Sequence, residues 1–442
     1  MIFYWDNTKR KNKFSGRYQG KFSLGHFPWE DPAWADRKDV VDTEYTEPGI
    51  WYTQFTGILA GICDQDDEYN ILANDIPDHV LQGLREHKLL LVIDNSLEAR
   101  EPLEQEFRIL HDTLNNLQIP HGSVIIITGD YGAEDRYIQT CKSYHIEPHL
   151  HFVSWNTLPC LSISHNALHS EDYYPIQTAM ADPDAKDYVS LNQTVKEHRL
   201  EHVYWLIKNG YHKSGLINAS VYRDGQYQDG FMREHPQDYC VYNNTDRYWE
   251  LLVELHSELP LTADFDMVEQ APNDLEGSLG MYNSELFERS LLSFITESEY
   301  PQTGVFITEK TYKVLMAGHP FIMLGNPGTI ETLRAQGFRT DLCDIDHSYG
   351  SETDHVKRFH LAHEQLENWI NTSLADKHRM ITRDMHKLRY NRQLLLHLFY
   401  PYNKKQVAEG RTEYMNTMHH QELWKCFTFM KTKLEDLYEK NN

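Results

Sequence analysis

The sequence predicts an α/β protein built from two doubly wound parallel sheets and closed by a helical C-terminal segment. Three observations predict it. Apolar runs of strand length, bounded by turn residues, alternate with segments whose apolar positions recur at helical spacing. This alternation occurs twice, on either side of the polar stretch ADPDAKD. The chain of 442 residues is also roughly three times as long as a typical single domain.

The first seventy-five or so residues are rich in aromatics (Trp5, Trp29, Trp34, Trp51) but hold no sustained period, so their structure stays open. From HKLLLVID onward the pattern is clear. The run Leu89 to Ile93 reads as a strand, and Leu103, Phe107, Leu110, Leu114 and Leu117 then recur on one helical face. SVIIIT repeats the unit, with a turn at Gly129, a helix over about 133–144 and HLHFVSW as the next strand. We place the boundary near residue 185, giving a first domain over 1–185 and a second over 186–354. In the second, DYVSLN reads as a strand, VKEHRLEHVYWLIKN as a helix stopped at Gly210, and SGLINAS as a strand. The helix DRYWELLVELHSEL, the strand SLLSFIT, the helix TEKTYKVLMA stopped at Gly318, the strand PFIMLG and the helix TIETLRAQ stopped at Gly337 follow. Residues 355–442 read as two long charged helices separated by FYPYNKK, a tail expected to pack across both domains.

Composition narrows the function. With 42 Lys+Arg against 66 Asp+Glu the net charge is −24, which counts against a broad basic face for nucleic acid and favours a small or neutral partner. Apolar residues at 40% supply a sizeable core, so the chain is globular rather than disordered. The six cysteines (Cys63, Cys141, Cys160, Cys240, Cys343, Cys426) are scattered and read as reduced core thiols. No apolar run approaches a bilayer span, so no membrane partner is expected and the protein is expected to be soluble and cytoplasmic.

In open parallel sheets ligands bind where strands end and helices begin. GVFITEKTYKVLMAGHPFIMLG has that form: Thr308 can cap the helix, Glu309 stands in its first turn, and Lys310 and Lys313 can face one side. A diphosphate would meet amides and two ammonium groups there, although a capped surface helix with solvated lysines would read the same way.

Taken together, SLNQTVKEHRLEHVYWLIKNG and FITESEYPQTGVFITEKTYKVLMAGHPFIMLGNPGTIETLRAQGFRTD resemble a glycosyltransferase group common in tailed-phage and other viral genomes, and more distantly the α-1,3-fucosyltransferases. The resemblance spans about residues 187–350. It rests on Asn192 at a strand end, the pair His198-Arg199, the acidic Glu297 and the TEK motif Thr308-Glu309-Lys310, all in the same order as in that group. It implies a GT-B-like fold of two Rossmann-like domains, with the donor site in the second and the acceptor site largely in the first. It also implies that Glu309 accepts hydrogen bonds from the nucleotide ribose, while Lys310 and Arg199 neutralise the leaving diphosphate. Glu299, just beyond Glu297, leaves open which acid faces the donor.

A glycosyl transfer also needs a base for the acceptor proton, and Glu98 and Asp130, each just past a first-domain strand, are the candidates. Both residues would equally suit a helix start or a turn. Asp264 and Asp266, and the cluster Asp64, Asp66 and Asp67, carry spacings that could hold a divalent cation. In so acidic a chain chance supplies such spacings, and a cationic helix already neutralises a diphosphate, so no metal and no cofactor are expected. His149 and His151 would share one strand face without a third ligand. The expected activity is metal-independent glycosyl transfer from a nucleotide-diphosphate sugar to a glycan, protein or nucleobase. The alternatives are a phage enzyme glycosylating hydroxymethylpyrimidine bases in DNA, which the charge opposes, and a non-catalytic or virion-associated binding protein that keeps the fold.

Overall fold

The computed structural model describes residues 2–5, 36–39, 49–54, 76, 78–95, 104–155, 174–192, 196–219, 222–223, 226–227, 284–300 and 304–399, with short stretches between 250 and 262 and between 428 and 439. The chain divides into two compact units. Met1–Cys160 and Phe399–Asn442, with Asp274–Glu276, form the first; Leu161–Asn273 and Gly277–Leu398 form the second. The division thus falls at residue 160 rather than 185. The stretch before ADPDAKD is not a terminal piece of the first unit: Pro175–Ala181 is a helix of the second. The C-terminal segment is likewise not one body, since it belongs to the second unit up to Leu398 and to the first from Phe399.

The first unit holds a sheet of six parallel strands: β1 (Ile2–Trp5), β2 (Asp36–Asp39), β3 (Gly49–Gln54), β4 (Leu89–Asn95), β5 (Val124–Thr128) and β6 (His151–Ser154), in the order β2-β1-β3-β4-β5-β6. Leu89 to Ile93 are fully buried, as a parallel strand covered on both faces requires. Helices α1 (Asp78–Arg85), α2 (Glu104–Asn116) and α3 (Ala133–Ser143) supply the cover, with Phe107, Leu110 and Leu114 of α2 in the core as the periodicity predicts. Leu117 packs at the rim of that core, while Leu103 lies outside the described residues. Each fully buried aliphatic side chain contributes about 1.5–3 kcal/mol against the ordering entropy.

Among the described residues the second unit runs from α4 (Pro175–Ala181) through β7 (Tyr188–Asn192), α5 (Glu197–Lys208) and β8 (Gly215–Ala219). The short pair β9 (Tyr222–Arg223) and β10 (Gln226–Tyr227) is antiparallel. After β11 (Leu261–Thr262) come α6 (Ser284–Glu288), β12 (Ser293–Thr296), α7 (Glu309–Ala317), β13 (Phe321–Leu324) and α8 (Thr329–Ala335), then the long helices α9 (His355–Asn371) and α10 (Leu374–Phe399). The helix stops at Gly210 and Gly318 hold left-handed backbone (φ 73° and 64°), where a side chain would be strained.

This sheet runs β11-β8-β7-β12-β13, with β11 antiparallel at one edge and the rest parallel. Chain order reverses between β7 and β12: β8 lies on one side of β7, and β12 with β13 on the other. Such a reversal opens a crevice at the carboxyl ends of the two central strands. Helix α9 is fixed to this sheet by Trp369, whose indole donates to the Asp187 carbonyl at 2.8 Å, and Lys377 of α10 reaches the Asp187 carboxylate at 2.5 Å. The break between α9 and α10 lies at Thr372-Ser373, ahead of FYPYNKK, because Ser373 caps α10 in a reciprocal pair with Asp376.

Candidate functional site

The residues singled out in the second domain, spread over more than a hundred positions of sequence, converge on the carboxyl ends of β7 and β12. Asn192 closes β7, and its amide oxygen accepts the Thr296 hydroxyl at 2.6 Å, joining the two strands at the reversal. Its Nδ2 donates to Ser190 Oγ at 3.0 Å. A buried chain continues behind it: Ser190 Oγ to His202 Nε2 (2.9 Å), His202 Nδ1 to His363 Nε2 (2.9 Å), and His363 Nδ1 to the Phe359 carbonyl (2.7 Å). A carbonyl only accepts, so His363 donates from Nδ1, His202 donates to His363, and Ser190 donates to His202. Every proton in the chain is then assigned, and both rings are neutral. Burial holds the His202 pKa well below its ordinary value and that of His363 at about 3. Asn192 thus ties the end of β7 to β12 and to this buried chain through its protein contacts.

Glu297 follows β12 and is 1% exposed. Its carboxylate accepts the Thr308 amide at 3.2 Å, the Thr308 hydroxyl at 2.5 Å and the Thr311 hydroxyl. It also accepts the Ser298 amide at 3.2 Å. These bonds tie the first turn of α7 to the end of β12. Glu297, expected from the resemblance to face the donor, is thus seen here bound to protein groups that set the helix in place. Its carbonyl is engaged as well, accepting from His198 Nε2 at 3.0 Å and from Arg199 Nη2 at 3.2 Å. Arg199 is 3% exposed and also reaches the Thr296 carbonyl at 3.4 Å. Burial pulls its pKa down, against the opposing charges of Glu309, Glu297 and Glu299.

Thr308 takes the N-cap position that the sequence predicts, with extended backbone and its hydroxyl accepting the Lys310 amide. The Lys310 ammonium donates to Glu309 Oε1 at 2.7 Å and to Ser298 Oγ at 3.0 Å. Burial raises the Glu309 pKa, but the Lys310 and Lys313 charges outweigh it and hold the carboxyl at about 2. Lys313, one turn on, is half-buried. Glu309 is therefore ionised at any physiological pH, an acceptor for hydroxyl donors.

Two residues that the motif reading passes over complete the arrangement. Lys196, at the N-cap of α5, donates to the Ser298 carbonyl and, at 3.1 Å, to Glu299 Oε1. Behind them Tyr300 lies between the His198 ring (5.3 Å between centroids) and the Arg358 guanidinium (4.8 Å above the ring). The only sequence signal for Lys196 is its place between a strand end and a helix start.

The first-unit candidates fare differently. Glu98 lies outside the described residues. Asp130 has no exposed surface: it ion-pairs with Arg136 of α3 and accepts the Gly132 amide at 2.9 Å. This is the setting of a turn-forming carboxylate, whereas a base must reach the acceptor hydroxyl. Asp264, Asp266, Asp64, Asp66 and Asp67 lie outside the described residues, among which no group of three or more His, Cys, Asp or Glu is placed to hold a metal ion. His149 precedes β6 and is exposed, so it does not share a strand face with His151. Cys141 and Cys343 are free buried thiols, and the other four cysteines lie outside the described residues. Among the described residues no helix is long and apolar enough to cross a membrane.

No protein-family model matches the chain, and no curated protein matches it. Among solved structures it is similar to a UDP-forming α,α-trehalose-phosphate synthase from Burkholderia xenovorans, at 11% identity over 77% of this chain and 70% of that one, with a TM-score of 0.39. An α,α-trehalose 6-phosphate synthase from Burkholderia multivorans follows at 10% identity, 82% and 72% coverage and a TM-score of 0.37. At such scores the reading of the site rests on its own residues.

Proposed function

We propose that this protein is a glycosyltransferase of GT-B-like plan that takes its sugar from a nucleotide-diphosphate donor, held at the carboxyl edge of the second sheet. The observation that carries the reading is the convergence at the strand-order reversal. The HR pair, the acidic Glu297 and the TEK helix, recognised in sequence as an ordered set, meet where an open α/β sheet binds ligands.

In this reading the diphosphate lies against the first turn of α7, where the positive end of the helix dipole and the Lys310 ammonium stabilise the charge that develops as the glycosidic oxygen departs. Glu309, held ionised, turns to the ribose hydroxyls and releases Lys310 to the phosphates. Arg199 acts from behind β12: its buried positive charge stabilises the anion, and its bonds to the Thr296 and Glu297 carbonyls keep the strand end in place. These cations do the neutralising, so the reaction is proposed to proceed without a divalent metal.

A thermal-shift screen of UDP, GDP, CDP and their sugars tests the reading, because a ligand bound only by the native state raises the midpoint. At least one nucleotide family should raise it, and equally so in excess EDTA. No shift with any of them would overturn the donor site, and a shift abolished by EDTA would overturn the metal-independent form of it.

A further inference from the structure

Lys196 breaks two local rules. It occupies the N-cap of α5, where Ser, Thr, Asp or Asn would accept a helix amide, and makes no side-chain capping bond there. It also puts a positive charge at the positive end of a helix dipole. Lys310, the second residue of α7, does the same at another helix. Both ammonium groups then meet at one residue: Lys196 on the Ser298 carbonyl and Lys310 on the Ser298 hydroxyl. Lys196 is 8% exposed, and its pKa is pulled down by burial and held up by Glu299, with the charges of Arg199 and Lys310 again lowering it. Its ion pair with Glu299 contributes little to stability by itself, since desolvating both charges offsets most of their attraction. Lys196, Lys310 and the buried Arg199 share this cluster with Glu297, Glu299 and Glu309, and both lysines stand at helix N-termini, a placement that local stability disfavours. Violations of this kind mark functional sites.

We propose that Lys196 is a phosphate-contacting residue of the donor site and that Glu299 is a placeholder carboxylate, which occupies Lys196 until a diphosphate displaces it. This deepens the donor-site reading and rests on it. The chemistry is an exchange of one oxyanion for another on the same ammonium. Glu299 swings toward solvent while Lys196 stays on the Ser298 carbonyl, which keeps its Nζ beside that of Lys310.

Isothermal titration of inorganic pyrophosphate, a diphosphate with no base or sugar, tests the assignment in the parent and in Lys196→Met, Glu299→Gln and Lys310→Ala. Lys196→Met should weaken binding by roughly 10- to 100-fold, the loss of one charge-assisted contact. Glu299→Gln should strengthen it by about 3- to 10-fold, because the competing carboxylate is gone. Opposite signs are the decisive result, since a purely structural ion pair would lose affinity in both variants. Parent-like binding in Lys196→Met with weakened binding in Lys310→Ala overturns the Lys196 assignment and leaves the donor site standing. Parent-like binding in both overturns the donor site itself. If Lys196→Met does not fold, Glu299→Gln decides alone: tighter binding supports the exchange, and unchanged or weaker binding overturns it.

Discussion

At the carboxyl end of β5, Asp130 turns inward to Arg136 and the Gly132 amide; at the carboxyl end of β12, Glu297, Ser298 and Glu299 are met by Lys196, Arg199, Lys310 and the first turn of α7. Both strand ends carry carboxylates, and both are largely buried. The difference lies in what the acids leave behind. One acid and one arginine satisfy each other and close a turn. At β12 three acids, Glu297, Glu299 and Glu309, face three cations, Lys196, Arg199 and Lys310, and the two lysines stand at helix N-termini, where the helix dipole opposes them. A carboxylate past a strand end is thus weak evidence of chemistry; lysines held at helix N-termini beside a strand-order reversal are stronger evidence.

Acid should act on both units and more strongly on the second, since in the first burial lowers His111 to about 4 and His121 and His151 below their ordinary value. His319 and His363 of the second are buried neutral with pKa values of about 4 and about 3, and burial also holds His198 and His202 well below 6.5. The unfolded chain binds protons at these sites from about pH 6.5 downward and the folded unit does not. Stability is therefore complete above that pH and falls as pH drops toward the folded values, by about 1.4 kcal/mol per pH unit for each such histidine. Urea titrations followed by hydrogen exchange should show the second unit losing protection before the first as pH falls from 6.5 to 4. Parallel loss in the two units, or a pH-independent second unit, would break the comparison.

Removing each strand-end acid sharpens it. Glu297→Ala leaves the Thr308 and Thr311 donors of α7 unmatched and should cost about 2–4 kcal/mol, with nucleotide binding lost alongside because α7 is no longer held. Asp130→Asn should cost about 1–3 kcal/mol, since Arg136 is partly exposed and can turn to water, and should leave nucleotide affinity at the parent value. Equal effects on binding would remove the distinction. A smaller effect on stability is expected of Lys310→Ala, whose side chain is 24% exposed and whose partner Glu309 keeps Lys313: unfolding midpoints should fall by less than in Asp130→Asn while nucleoside-diphosphate affinity falls by about 1.5–3 kcal/mol. Parent affinity in that variant would sink the role assigned to the TEK lysine.

Much of this was legible because the physics was local. Leu89 to Ile93 could only be a buried strand, and the glycine stops at Gly210 and Gly318 carried their own backbone requirement. Thr308 announced a cap by its place before Glu309 and Lys310. The Ser373–Asp376 capping pair was equally readable and places the α9–α10 break ahead of FYPYNKK. Helix α1 and strands β1 to β3 precede the clear alternation, where aromatic content masks any period. The site was legible as an ordered set of motifs but not as roles. That Glu297 binds a helix end, Asn192 a neighbouring strand and Asp130 an arginine depends on partners far along the chain. A lone lysine before a helix, as Lys196 is, carries no signal until Ser298 and Glu299, about a hundred residues on, are folded against it.

The most direct test of the central claim is location. Hydrogen–deuterium exchange of the parent protein, with and without a saturating nucleoside diphosphate chosen by the thermal-shift screen, reports which amides the ligand covers or stiffens. The account predicts protection concentrated in the first turn of α7 around residues 308–312 and at the start of α5 around 196–200, with the turn at Asp130 unchanged. Protection confined to the first unit, or absent from α7 while the ligand is bound, would contradict it.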